Sequence, residues 1–130
     1  MGNLTENRQT PELHVGGVHY NYQRVAATRI YKGALVSLTA NNEAVPASDE
    51  DAVAVIGRAE STVEAESIIV VRRGAFLYDN GTDGEELTAA DINKECYVVD
   101  DHTVGKVGGT AKIQAGIVLD VTTDGVAVLI

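Results

Sequence analysis

Three groups of residues in this chain have the types that metal binding or acid–base chemistry uses. The run Asp79-Asn80-Gly81-Thr82-Asp83-Gly84 is rich in oxygen donors, as a calcium loop is. Such a loop takes ligands at positions 1, 3 and 5, glycine at 6 and glutamate at 12. Here Gly81 stands at position 3 and Ala90 at position 12, so two ligands fail. A Gly/Asn turn explains the composition instead. The second group, Asp100-Asp101-His102, joins carboxylates to an imidazole. Read as extended chain, neighbours point to opposite faces and do not converge on an ion, so a polar hairpin loop is expected. The other histidines, His14 and His19, stand far from it, and no H-x-x-x-H or C-x-x-C spacing occurs. No metal site is expected. The third group is the acidic runs Asp49-Glu50-Asp51 and Glu85-Glu86, which turn residues flank. These read as solvated loops rather than as an acid–base pair.

Cys96, the single cysteine, lies in the apolar run Cys96-Tyr97-Val98-Val99 and reads as a small buried hydrophobe. A nucleophile would need a base nearby in a cleft, and none is signalled. G-x-S-x-G, the P-loop and G-x-G-x-x-G are all absent. The expectation is a non-enzymatic chain that needs no cofactor.

Charge narrows the partners. The net charge is −9. Residues 1–24 are balanced, with Arg8 and Arg24 against Glu6 and Glu12, so the remainder carries the whole excess. An acidic body repels phosphate, and with no Trp and one Phe it has little to stack on bases. Nucleic acid is not an expected partner. No apolar run approaches the roughly 20 residues that span a bilayer, and the N-terminus lacks the basic and apolar regions of a signal peptide. A soluble, unprocessed protein is expected, with its one cysteine suited to a reducing cytosol.

The chain's 130 residues suit one domain with a substantial core. Residues 1–24 read as an extended N-terminal arm: polar, with Pro11 and Gly16-Gly17. Leu13 and Val15 alternate in it, as do Val18, Tyr20 and Tyr22, which suits a strand added to another surface. These five are the expected contacts with a partner or a neighbouring subunit. Residues 25–130 read as a single β domain, a small antiparallel barrel or sandwich. Candidate strands are 25–31, 34–39, 53–60, 67–72, 75–78, 96–99, 104–107, 113–121 and 126–130. An Asp124-Gly125 turn would pair Thr123 with Val126, Val121 with Val128 and Leu119 with Ile130. One short helix is signalled, with Thr88 and Asp91 as a capping box and Leu87 and Ile92 as a hydrophobic staple.

The order of these signals resembles that of tailed-phage capsid decoration, or cement, proteins. The resemblance covers roughly residues 25 to 130. It runs through Ile30-x-x-Gly33-x-Leu35-Val36-x-Leu38, Pro46-Ala47-Ser48, Val55-Ile56-Gly57-Arg58-Ala59 and Val70-Val71-Arg72-Arg73-Gly74, then Phe76 and Tyr78. Leu87-Thr88-Ala89-Ala90-Asp91-Ile92 is its most specific piece. Tyr97-Val98-Val99-Asp100-Asp101, Ala115 to Val121 and Asp124 to Val128 complete it. Asn93-Lys94-Glu95 departs from the glycine-containing helix exit of that family. The resemblance implies a virion protein on the outer capsid surface, a homotrimer at three-fold or quasi-three-fold lattice positions, with the major capsid protein as partner. The alternative is another phage virion β module of a tail, fibre or head-completion assembly.

Overall fold

The computed structural model describes residue 3 and residues 5–9, 20–106 and 113–130. The chain is mostly β: an open five-stranded sheet followed by a closed five-stranded barrel. The sheet contains β1 (Tyr20–Arg24), β2 (Leu35–Leu38), β3 (Ala44–Pro46), β4 (Ala54–Ala59) and β5 (Ile68–Arg72). Its order is β1-β5-β4-β2-β3, all antiparallel. The barrel contains β6 (Ala75–Asn80), β7 (Glu95–Val98), β8 (Thr103–Gly105), β9 (Gln114–Thr122) and β10 (Gly125–Leu129). Its order is β10-β6-β8-β7-β9, and every pair except parallel β6–β8 is antiparallel. Among the described residues no helix is long and apolar enough to cross a membrane.

Alternation builds both cores. In β5, Ile69 and Val71 are buried while Ile68, Val70 and Arg72 take the opposite face. Ile69 and Val71 join Val36, Ile56 and Ala59 in one cluster, which Val25 and Ile30 complete from outside the strands. The barrel interior is a second cluster around Tyr78, Leu87, Val98, Val118, Val126 and Val128. Leu35 and Ala47 from the sheet half belong to it, so the two halves share a core. Two further ties join them. The Leu35 amide donates to the Asp101 carbonyl at 2.7 Å. The Arg58 guanidinium lies 4.1 Å from the centre of the Phe76 ring, a cation–π contact.

A β-bulge lies where β2 meets β4, between Val36 and Ser37. Gly57 sits there with φ +146°, and a Cβ on it would overlap the Arg72 carbonyl oxygen of the neighbouring strand. Only glycine permits that approach.

Three expectations change. The segment 25–31 is not a strand: it touches the sheet through two isolated bridges, Val25 with Ala44 and Ile30 with Val63. Both side chains are fully buried while Ala27, Thr28 and Arg29 between them are exposed, so the segment crosses over the core instead of extending along it. The terminal hairpin is registered differently. Thr122 pairs with Gly125 and Val126 with Val121, so the loop is Thr123-Asp124. Gly125 belongs to the strand, where a Cβ would overlap the Tyr78 carbonyl oxygen of β6. A bulge then shifts the register, so that Val128 pairs with Val118 and Leu119 turns outward. Finally, Tyr20–Arg24, the last part of the expected arm, is paired into the sheet along β5.

The short helix forms where expected, as a single 3-10 turn, Ala89–Asp91. The Thr88 amide donates to the Asp91 carboxylate at 2.8 Å, and Leu87 and Ile92 pack in the barrel cluster. A second 3-10 turn, Asp83–Glu85, precedes it.

Candidate interaction surface

Tyr20 and Tyr22 are brought together by β1. They alternate with Asn21 and Gln23, so both face the same side of the sheet. Tyr22 stands directly opposite Val70, Tyr20 opposite Arg72, and Arg24 opposite Ile68. Tyr22 is 68% exposed, Ile68 60% and Tyr20 44%. Leu13, Val15 and Val18, the other expected contacts, lie outside the described residues.

The register explains why this face is bare. Arg72 pairs on its other side with Arg58, and Arg58 with Leu35. All three therefore look the same way as Tyr20. Leu35 enters the barrel core and Arg58 lies over barrel residue Phe76. The barrel thus covers this face at β2 and β4. Beyond them, on β1 and β5, Tyr22 and Ile68 are exposed and Val70 is half-buried. Arg24 forms the rim, held by Glu43 at 3.2 Å and Glu66 at 3.5 Å. β1 is also an edge strand, so among the described residues its outer side has no strand partner. An exposed edge with an apolar face is the arrangement that strand addition uses.

A second apolar surface lies on the barrel wall. Leu77, Leu129 and Leu119 are each more than two-fifths exposed. Cross-strand pairs connect Leu77 with Ala127, Ala75 with Leu129, and Leu129 with Ile117. Beside it an open groove of 440 Å³ runs between β4 and the barrel, lined by Val53, Ile113, Ile117, Leu129, Ile130 and Arg73. The expected contact set did not contain Ile68 or these leucines. For β5 a signal was present: four consecutive apolar residues, Ile68 to Val71, cannot all face one core.

The chemistry-bearing groups sit elsewhere. Asp100, Asp101 and His102 occupy the turn between β7 and β8, so their ligand atoms all lie within 4.8 Å of one another. The expected divergence assumed an extended chain, and the turn reverses it. His102 Nδ1 is 2.9 Å from Asp101 Oδ1 and 3.1 Å from Asp100 Oδ1, while Asp100 Oδ1 accepts the His102 amide at 3.0 Å. The hydrogen bond to Asp101, with the charges of Asp100, Asp101 and Asp79, raises the His102 pKa against partial desolvation. The visible role of these contacts is to fasten the turn whose Asp101 carbonyl holds Leu35. Glu43, Asp49, Glu50 and Asp51 line an open cavity of 530 Å³. There Asp49 Oδ1 accepts the Asp51 amide at 2.8 Å, which makes a local turn of that acidic run. The Cys96 thiol is fully buried, and burial pushes its pKa up to about 11, so it stays protonated at neutral pH. Comparison with protein-family models, with curated proteins and with solved structures finds no match to this chain.

Proposed function

We propose that this chain is a decoration protein of a tailed-phage head, binding the outer capsid surface and stabilising contacts between major capsid protein subunits. The observation that carries the reading is the exposed apolar face of β1 and β5, set on a sheet edge with no strand partner among the described residues of a strongly acidic chain. Monomeric soluble proteins seldom leave such a face uncovered. Aromatic side chains with a polar tip, like Tyr20 and Tyr22, are enriched in interface cores. The order of motifs from Ile30 to Val128 supports the choice of a phage head, because it resembles that of capsid cement proteins. A homotrimer on a lattice needs two contact faces, one for its copies and one for the shell. The sheet face and the barrel wall offer two. Many identical copies turn modest contacts into collective stabilisation.

The competing assignment is a tail, fibre or head-completion β module, which would use the same faces at another place in the particle. Labelling the protein in purified virions separates the two. A decoration protein gives label over the whole head lattice. Label at a single vertex or along the tail overturns the assignment.

A further inference from the structure

The oxygen-rich run Asp79 to Gly84 contains the pair Asn80-Gly81. Asn-Gly is the dipeptide most prone to deamidation, because glycine leaves the following amide nitrogen unhindered. That nitrogen attacks the asparagine Cγ. The N–Cγ bond forms and the Cγ–Nδ2 bond breaks; a solvent base takes the attacking amide's proton, solvent returns a proton to the departing nitrogen, and ammonia leaves. Water then opens the succinimide to aspartate or isoaspartate. The overall change is asparagine plus water giving an acid plus ammonia.

Both reacting groups are tied down here. Asn80 closes β6, and its side chain acts like a piece of backbone. Its Nδ2 donates to the Leu87 carbonyl at 2.9 Å, and its Oδ1 accepts the Leu87 amide at 2.9 Å. The attacking nitrogen, that of Gly81, donates to the Val104 carbonyl at 2.8 Å, and Gly81 is buried. The segment between Gly81 and Leu87 is tied down in turn. Lys106 donates its amide to the Glu85 carbonyl at 2.9 Å, and Leu87 is a fully enclosed member of the barrel core. Attack needs the Gly81 amide freed and the Asn80 carboxamide rotated away from Leu87, so it needs the 81–87 segment to open.

We propose that Asn80-Gly81 is a deamidation site gated by this segment, intact in the closed protein and converted when the segment opens. Conversion is one-way in effect. A carboxylate at position 80 still accepts the Leu87 amide. It cannot donate to the Leu87 carbonyl, and it sets two acceptors against each other. The modified protein therefore holds Leu87 less firmly and opens more readily.

The test incubates the full-length protein at mildly alkaline pH beside a synthetic peptide of residues 76–86, following deamidation by intact and peptide mass. The closed protein should convert about tenfold or more slowly than the peptide, and urea below the unfolding midpoint should raise its rate towards the peptide's. The isolated deamidated protein, and separately Asn80→Asp, should melt below the unmodified protein. Equal rates for folded protein and peptide overturn the proposal. So does a peptide that fails to convert, or a deamidated protein that melts like the original. If Asn80→Asp does not fold, the rate comparison decides alone, since it uses only the native sequence.

Discussion

Val128 has no exposed surface and sits among Tyr78, Val98, Val118 and Val126 inside the barrel. Removing two of its methyl groups leaves a cavity in a closed wall that cannot collapse easily. Val128→Ala should cost about 1–3 kcal/mol in equilibrium unfolding, and a change within measurement error would place the side chain outside the core. His102 is the one histidine among the described residues. Its pKa is raised in the folded state, chiefly by the Asp101 hydrogen bond. A raised folded pKa contributes stability that is fully present below the unfolded value of 6.5 and is lost as pH rises through the folded value. His102→Gln should therefore destabilise more at pH about 6 than at pH about 8. Melting curves at the two pH values check this, and equal losses would mean that the turn does not use the imidazolium. The ring is mostly exposed, so solvent screening keeps the effect small.

At the scale of elements, β10 is the closure of the barrel, because it pairs with β6 on one side and β9 on the other. Truncation after Asp124 should abolish soluble, cooperative folding; a truncated chain that still melts cooperatively would show that the barrel survives open. Local pattern made most strands legible. β4, β5, β6, β9 and β10 carry apolar runs separated by turn residues, and the Thr88/Asp91 box announces its own turn. What was hidden depends on contacts distant in sequence. Gly125 looks like a turn residue because Asp-Gly favours tight turns, yet it is required by the Tyr78 carbonyl of the neighbouring strand β6. The outward turn of Leu119 follows from a bulge, which alternation alone does not reveal. The three residues of β3 are too few to show a period, and β1 has a polar sequence that becomes a strand by pairing with β5. The candidate interface was half legible. Tyr20 and Tyr22 stood out by type and spacing, but Ile68 joins them only through the β1–β5 register.

For the whole molecule, the uneven charge and the bare faces fit one picture. Most of the acidic excess lies in the barrel half, where residues 75–130 hold 10 acidic and three basic side chains. The sheet half is close to neutral and carries the aromatic edge. Under the proposed function the near-neutral sheet face is the one to meet the shell, and the acidic excess of the barrel half disfavours non-specific association of copies in solution. The most direct measurement is a titration of undecorated heads with purified protein, followed by sedimentation or mass photometry. Saturable binding that reaches lattice stoichiometry is expected. Tyr22→Ser/Ile68→Ser should bind about tenfold or more weakly, a loss of about 1.4 kcal/mol, with the melting temperature nearly unchanged. Wild-type protein that folds but shows no saturable binding to the heads would contradict the proposed function.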